Sequence, residues 1–263
     1  MKSNPYDFRM RRLALERPPS WGILALVLLV LGNVALFTVM GMRPAPADTY
    51  ESQAPAGAGS PVPAESPVTP AETEPSEPPV LAVYGDGYAA GNEMGGQGAT
   101  GWPALVAQRT GTELALHAVP QAGYASIGVT GQDYMGLLGA APVPDADITL
   151  LFGSRNDADE DPAQVKAQAV AAMAAAAQNA PQAILVVIGP VWDDGDAPAS
   201  VLAVRDLVQA AAQGAGAVFV DPLADGWFGT GSGLIATDGI SPTDAGHAYL
   251  AEQIAPVVTA ALQ

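Results

Sequence analysis

From residue 80 onward, short apolar runs alternate with longer stretches in which apolar residues recur every three to four positions. The runs are VLAVYG (80–85), ELALHAV (113–119), DITLLFG (147–153), AILVVIG (183–189) and AVFVDP (217–222). They are nearly continuous in hydrophobicity, as strands covered on both faces must be. The intervening stretches 102–109, 161–179, 199–213 and 242–262 predict helices. Pro162 and Pro242 stand where first-turn prolines belong, since the first N–H groups of a helix have no intrahelical acceptor to lose. Strands alternating with helices predict an α/β domain over 80–263, a doubly wound parallel sheet of five strands around one core. In such sheets the ligand meets the loops at the carboxyl ends of the strands.

Upstream the pattern is different. Trp21 to Met42 is 22 residues without a charge. At ~1.5 Å per residue it spans roughly 33 Å, enough to cross a ~30 Å hydrocarbon core. A cleaved signal peptide needs a shorter apolar run, although Ala45-Pro46-Ala47 resembles a cleavage site and leaves processing open. Asn33, alone in the span, is read as a tolerated polar residue. Residues 43–79 hold ten prolines among Ala, Glu, Ser and Thr, a composition that cannot bury a core. They predict an extended stalk, whose Ser and Thr residues permit glycosylation.

Charge orients this arrangement. Residues 1–20 carry a net +3, which predicts a cytoplasmic tail and places everything after Met42 outside. The expectation is therefore a single-pass membrane protein. Residues 1–20 form its tail, 21–42 its transmembrane helix, 43–79 its stalk and 80–263 its extracytoplasmic domain. That domain has four basic residues against nineteen acidic ones, a net of −15. Such a surface repels phosphate backbones, which excludes nucleic acid as a partner. With no cysteine in the chain, disulfides and thiolate chemistry are excluded as well.

Four strand-end loops carry the candidate chemistry. They read Gly85-Asp86-Gly87-Tyr88-Ala89-Ala90-Gly91, Gln121-Ala122-Gly123-Tyr124, Gly153-Ser154-Arg155-Asn156-Asp157 and, before the last helix, Asp238-Gly239-Ile240-Ser241-Pro242-Thr243-Asp244-Ala245-Gly246-His247. In this order they resemble the SGNH (GDSL-like) hydrolase family, whose pattern is GDS-x-x-x-G, a loop glycine, G-x-N-D and a late D-x-x-H-P. The resemblance covers essentially all of 80–263 and implies a flavodoxin-like sheet. It further implies the nucleophile at Gly87 and the base at Ser241, with Asp238 orienting the base. The oxyanion hole would fall on the N–H groups of Gly87 and Gly123 and the Asn156 amide. Two of these positions depart from the family. Glycine has no side chain to attack a carbonyl, and a serine hydroxyl does not take a proton near neutral pH. A strand-to-helix elbow also favours glycine on steric grounds, which accounts for Gly87 but not for Ser241.

Substitutes for the missing pair are few. Tyr88 is adjacent, but a phenol of pKa ~10 needs a base beside it. His117 falls within the second strand, a core or edge position. His247 follows Ser241 by six residues on the last helix and points away from the loop. The acidic runs Asn156-Asp157, Asp159-Glu160-Asp161 and Asp193, Asp194, Asp196 suit calcium chemically but lack the spacing of a calcium loop, so they read as solvated acids. Neither a metal nor a cofactor is expected. The reading that follows is a non-catalytic module that binds acylated or glycan ligands of the cell envelope or scaffolds a partner there. Its alternative is an active esterase or acyl hydrolase with an unorthodox nucleophile. Trp102, Trp192, Trp227 and Phe228, near the Gly-rich loops, can stack on sugar rings or pack beneath the loops, the commoner use of such residues.

Overall fold

The computed structural model describes residues 77–229 and 233–263. The predicted tail and span, and the stalk up to residue 76, lie outside the described residues. Among the described residues no helix is long and apolar enough to cross a membrane.

Five strands form one sheet: β1 (Val80–Gly85), β2 (Glu113–Ala118), β3 (Ile148–Phe152), β4 (Ile184–Ile188) and β5 (Val218–Val220). Their order is β2-β1-β3-β4-β5, and every pairing is parallel. The chain thus works outward in both directions from β1 and β3, the doubly wound arrangement that the sequence predicts. All five residues of β3 are buried, while β2 and β5 at the edges expose Leu116 and Val218.

Alternate residues of each strand feed opposite layers. Ala82 and Tyr84 of β1, with Leu151 and Val187, join the layer beneath α3 (Tyr134–Ala140), α4 (Pro162–Asn179) and α5 (Ala199–Ala215). Leu81 and Val83, with Leu150, Phe152, Val186 and Ile188, join the layer beneath α2 (Trp102–Thr110) and α6 (Asp244–Ala261). Each fully buried Leu, Ile, Val or Phe is worth about 1.5–3 kcal/mol, so this two-sided burial carries the domain. Small residues Ala169, Ala172 and Ala176 line the inner face of α4 and let it lie close to its neighbours.

The helix boundaries differ from the pattern in instructive places. Pro162 does open α4, and Asp161 caps it by accepting the Ala163 N–H. Pro242, by contrast, lies outside α6. Thr243 is the cap there, its hydroxyl accepting the Gly246 N–H, while Pro242 bridges to Ile235. Helix α3 escapes the pattern because seven residues are too few to display a helical period. A four-residue helix α1 (Gly87–Ala90) also follows β1 directly.

Candidate active site

The four loops converge on a cavity of about 300 Å³ whose walls include Asp86, Gly87, Asn92, Asn156, Asp238 and Ser241. Gly87 is the first residue of α1, which Asp86 caps by accepting the Tyr88 N–H at 2.9 Å. A Cβ added at Gly87 would touch only Pro120, at an ordinary 3.7 Å, and the backbone there is not left-handed. Nothing steric demands glycine. The elbow explanation for Gly87 therefore fails, and a serine fits the position as it stands.

Across the cavity, Ser241 is nearly buried and its Oγ accepts the Asn92 amide at 2.9 Å. Asp238 turns the loop back on itself, its Oδ1 accepting the N–H groups of both Ile240 and Ser241 at 2.9 Å. The Ser241 hydroxyl beside it, together with those N–H groups, holds the exposed Asp238 carboxyl below its ordinary range.

The groups assigned to an oxyanion hole are differently placed. Asn156 Nδ2 donates to Asp86 Oδ2 at 3.0 Å and to the Ala122 carbonyl at 2.8 Å, which engages both of its hydrogens. Gly123 is not part of the cavity wall, and its N–H donates to the Ser126 carbonyl at 3.0 Å. Gly123 is required there for a different reason. A Cβ would lie 2.5 Å from Asp157 Oδ1 and Ser154 Oγ. Gly87, Asn156, Asp238 and Ser241 are thus brought together, and Gly123 sits behind them.

The acids at this site are not all solvated. Asp157 is 1% exposed, and its carboxylate accepts the N–H groups of Tyr124, Ala125 and Ser126 and the Ser154 hydroxyl. It clamps the loop after β2 to the loop after β3. Asp159, Glu160 and Asp161 do lie at the surface, and no group of metal-binding side chains occurs among the described residues. Asp86 is also buried, and burial pushes its carboxyl up to about 6 against the opposing pull of the Tyr88 N–H and Arg155. No pattern flags Asn92, a single polar residue in a glycine-containing turn, whereas Asp86 is the acid of the first loop's G-D-x opening.

The substitutes considered for the missing pair are engaged or lie elsewhere. The Tyr88 hydroxyl donates to the Ile240 carbonyl at 2.6 Å, and burial pushes it up to about 12. His117 lies on edge strand β2, its ring 5.1 Å from that of Tyr84. His247 is wholly buried on α6, where Nδ1 accepts the Trp102 N–H at 3.3 Å and the ring fills the space beside Gly96. Burial pushes this imidazole down to about 4. These two are the only histidines of the chain. Neither lines the cavity.

His247 and Asp86 oppose each other in acid. The depressed imidazole contributes stability above pH ~6.5 that is lost as pH falls towards 4, about 3 kcal/mol in all. The raised Asp86 carboxyl contributes stability below pH ~4 that is lost as pH rises through 6, again about 3 kcal/mol. Their slopes nearly cancel, so urea stability should be flat between pH 4 and 6.5. Replacing His247 by Gln should expose the Asp86 slope, with the variant gaining stability on acidification across that window. A variant as flat as the parent would contradict both assignments.

The family profile of GDSL-like lipases and acylhydrolases matches residues 83–249. This chain belongs to that family. The GDSL lipase Rv0518 of Mycobacterium tuberculosis (strain ATCC 25618 / H37Rv) is 40% identical over 187 residues, 68% of this chain and 81% of that protein. The crystal structure of TesA superposes with a TM-score of 0.56 at 20% identity, over 69% of this chain and 99% of TesA. A family two carbohydrate esterase from Cellvibrio japonicus gives 0.56 at 15% identity, over 72% of this chain and 64% of that one. At these identities the two structures share the fold with this GDSL-like domain and say nothing of its chemistry.

Proposed function

We propose that this GDSL-like protein is a single-pass membrane protein whose domain, held outside the cytoplasm, binds acylated or glycan ligands of the envelope without hydrolysing them. One observation carries the reading. The cavity at the strand ends has no nucleophile side chain at Gly87 and no imidazole anywhere in its wall. Acyl transfer by this fold needs a nucleophile and a base within hydrogen-bond reach of each other. Both histidines of the chain are committed to packing elsewhere, and the Asn156 amide is engaged with Asp86 and Ala122.

Ester hydrolysis is the competing reading. The relative named a GDSL lipase favours it, as does the Ser241 hydroxyl on the cavity wall. Full-length protein incubated with short-chain nitrophenyl esters and acetylated sugars separates the two. No release above buffer is expected. Turnover that disappears in Ser241→Ala would replace the binding reading with the hydrolytic one.

The anchor has its own test. Protease added to intact cells should cut within 43–79 and release a folded fragment beginning near Val80, leaving residues 1–20 protected. Digestion of the N-terminal tail instead would reverse the orientation.

A further inference from the structure

An open groove of about 650 Å³ adjoins the Gly87 cavity and shares Gln121, Arg155, Asn156 and Ile240 with it. We propose that this groove is a saccharide subsite, taking an uncharged sugar ring against Trp192. A substituent of that ring would reach into the Gly87 cavity. The inference deepens the binding reading above and rests on it.

Trp192 is the starting point. Trp102 is wholly buried and Trp227 nearly so, whereas Trp192 is half-buried and forms part of the groove wall. One face of its ring is covered by a second planar group, which itself lines the groove. The Arg155 guanidinium carbon lies 4.1 Å from the indole centroid. That guanidinium is fixed in turn by the Tyr88 hydroxyl at 3.3 Å and by Asp193 at 3.7 Å. An aromatic plane fixed before the ligand arrives loses little entropy on binding, which suits it to stack on a rigid ring.

The other walls decide what kind of ring. Gln121, Ser126, Asp159, Glu160 and Ser200 all border the groove. An alkyl chain laid there would strip water from the exposed Gln121, Asp159, Glu160 and Ser200 and give nothing back. Sugar hydroxyls, which both donate and accept, would pair with them. Asp159 and Glu160 are exposed carboxylates on a domain of net charge −15, so fatty-acid carboxylates and lipid phosphates are repelled. Ile127 and Ile240 stand 60% and 53% exposed on the same groove, where the C–H face of a sugar can cover them.

The test uses full-length protein in phosphatidylcholine nanodiscs, with cellohexaose, partially O-acetylated cellohexaose and hexanoate as probes. Calorimetry and tryptophan fluorescence report binding, and acetate release reports turnover. Both oligosaccharides should bind, the acetylated one more tightly, and hexanoate should not. Trp192→Ala should weaken saccharide binding roughly tenfold, while Trp192→Phe should retain most of it. A melting curve for each variant separates a folding defect from a lost contact. Hexanoate binding in place of saccharide would overturn the inference. So would saccharide binding indifferent to Trp192→Ala, or no binding by any probe. Acetate release would refute the non-catalytic reading and leave the saccharide subsite standing.

Discussion

Gly87→Ser combined with Ser241→His should give this domain slow ester hydrolysis, and neither change alone should do so. Room exists for the first side chain, since a Cβ at position 87 meets only Pro120 at 3.7 Å and the backbone is ordinary there. The second must displace the Asn92 amide from Ser241 and extend into the 300 Å³ cavity, with the Asp238 carboxylate already bonded to the N–H of residue 241. A serine without a base stays protonated, and an imidazole without a nucleophile activates nothing. The gain should therefore be non-additive. General-base assistance typically contributes 10²–10⁴-fold, and we expect the low end, roughly a hundredfold over either single variant with a nitrophenyl ester. The reason for modesty is the Asn156 amide, which must leave Asp86 or Ala122 before it can steady an oxyanion. Asp238→Asn in the double variant should abolish the gain. A double variant that folds normally yet remains as inert as the singles would break the correspondence drawn at positions 87 and 241.

Asp157→Ala should cost about 4 kcal/mol or more, or prevent folding altogether. The carboxylate is 1% exposed and accepts three successive backbone N–H groups and one hydroxyl. Removing it leaves four buried donors unpaired, each worth about 1–3 kcal/mol, with partial relief as water enters the gap. Domains of this size are stable by only about 5–15 kcal/mol, so the loss is a large share of the total. Asp157→Asn keeps an oxygen acceptor and should fall between the two. The midpoint of urea unfolding measures both. A shift below about 1 kcal/mol for Asp157→Ala would mean that the loop after β2 is held by something else.

Most of the sheet was legible in the chain because buried parallel strands leave an unbroken apolar signature. The runs at 80–85, 147–153 and 183–189 contain β1, β3 and β4 almost to the residue. Legibility fell where the determining contact is remote. Asp157 sits among surface acids in the sequence, and only partners 31 to 33 positions away distinguish it from them. Gly123 looked like an oxyanion donor, whereas its N–H is paired with Ser126 and its lack of a side chain makes room for Asp157 and Ser154. Asn92 lies in a run of glycines with no periodicity to mark it, although it bonds the residue opposite Gly87. His247 does lie away from the cavity, but a rotation counted from Ser241 is not the reason, since the helix begins only at Asp244; its burial against Trp102 and Gly96 sets it there.

The two halves of the cavity come from opposite ends of the domain. Tyr88 bonds Ile240 across 152 positions, Asn92 bonds Ser241 across 149, and Gly96 bonds Asp244 across 148. Closing loops of that length is slow and comes after local structure has formed. A growing chain that has released β1 to β5 but not yet Asp238 lacks α6, one of the two helices that cover one face of its sheet, and has only one wall of its pocket. Any ligand that binds there is therefore invisible to the nascent protein. It can act as a ligand only on a chain whose helix α6 has emerged and docked, so occupancy of the pocket is also a report that the domain has closed.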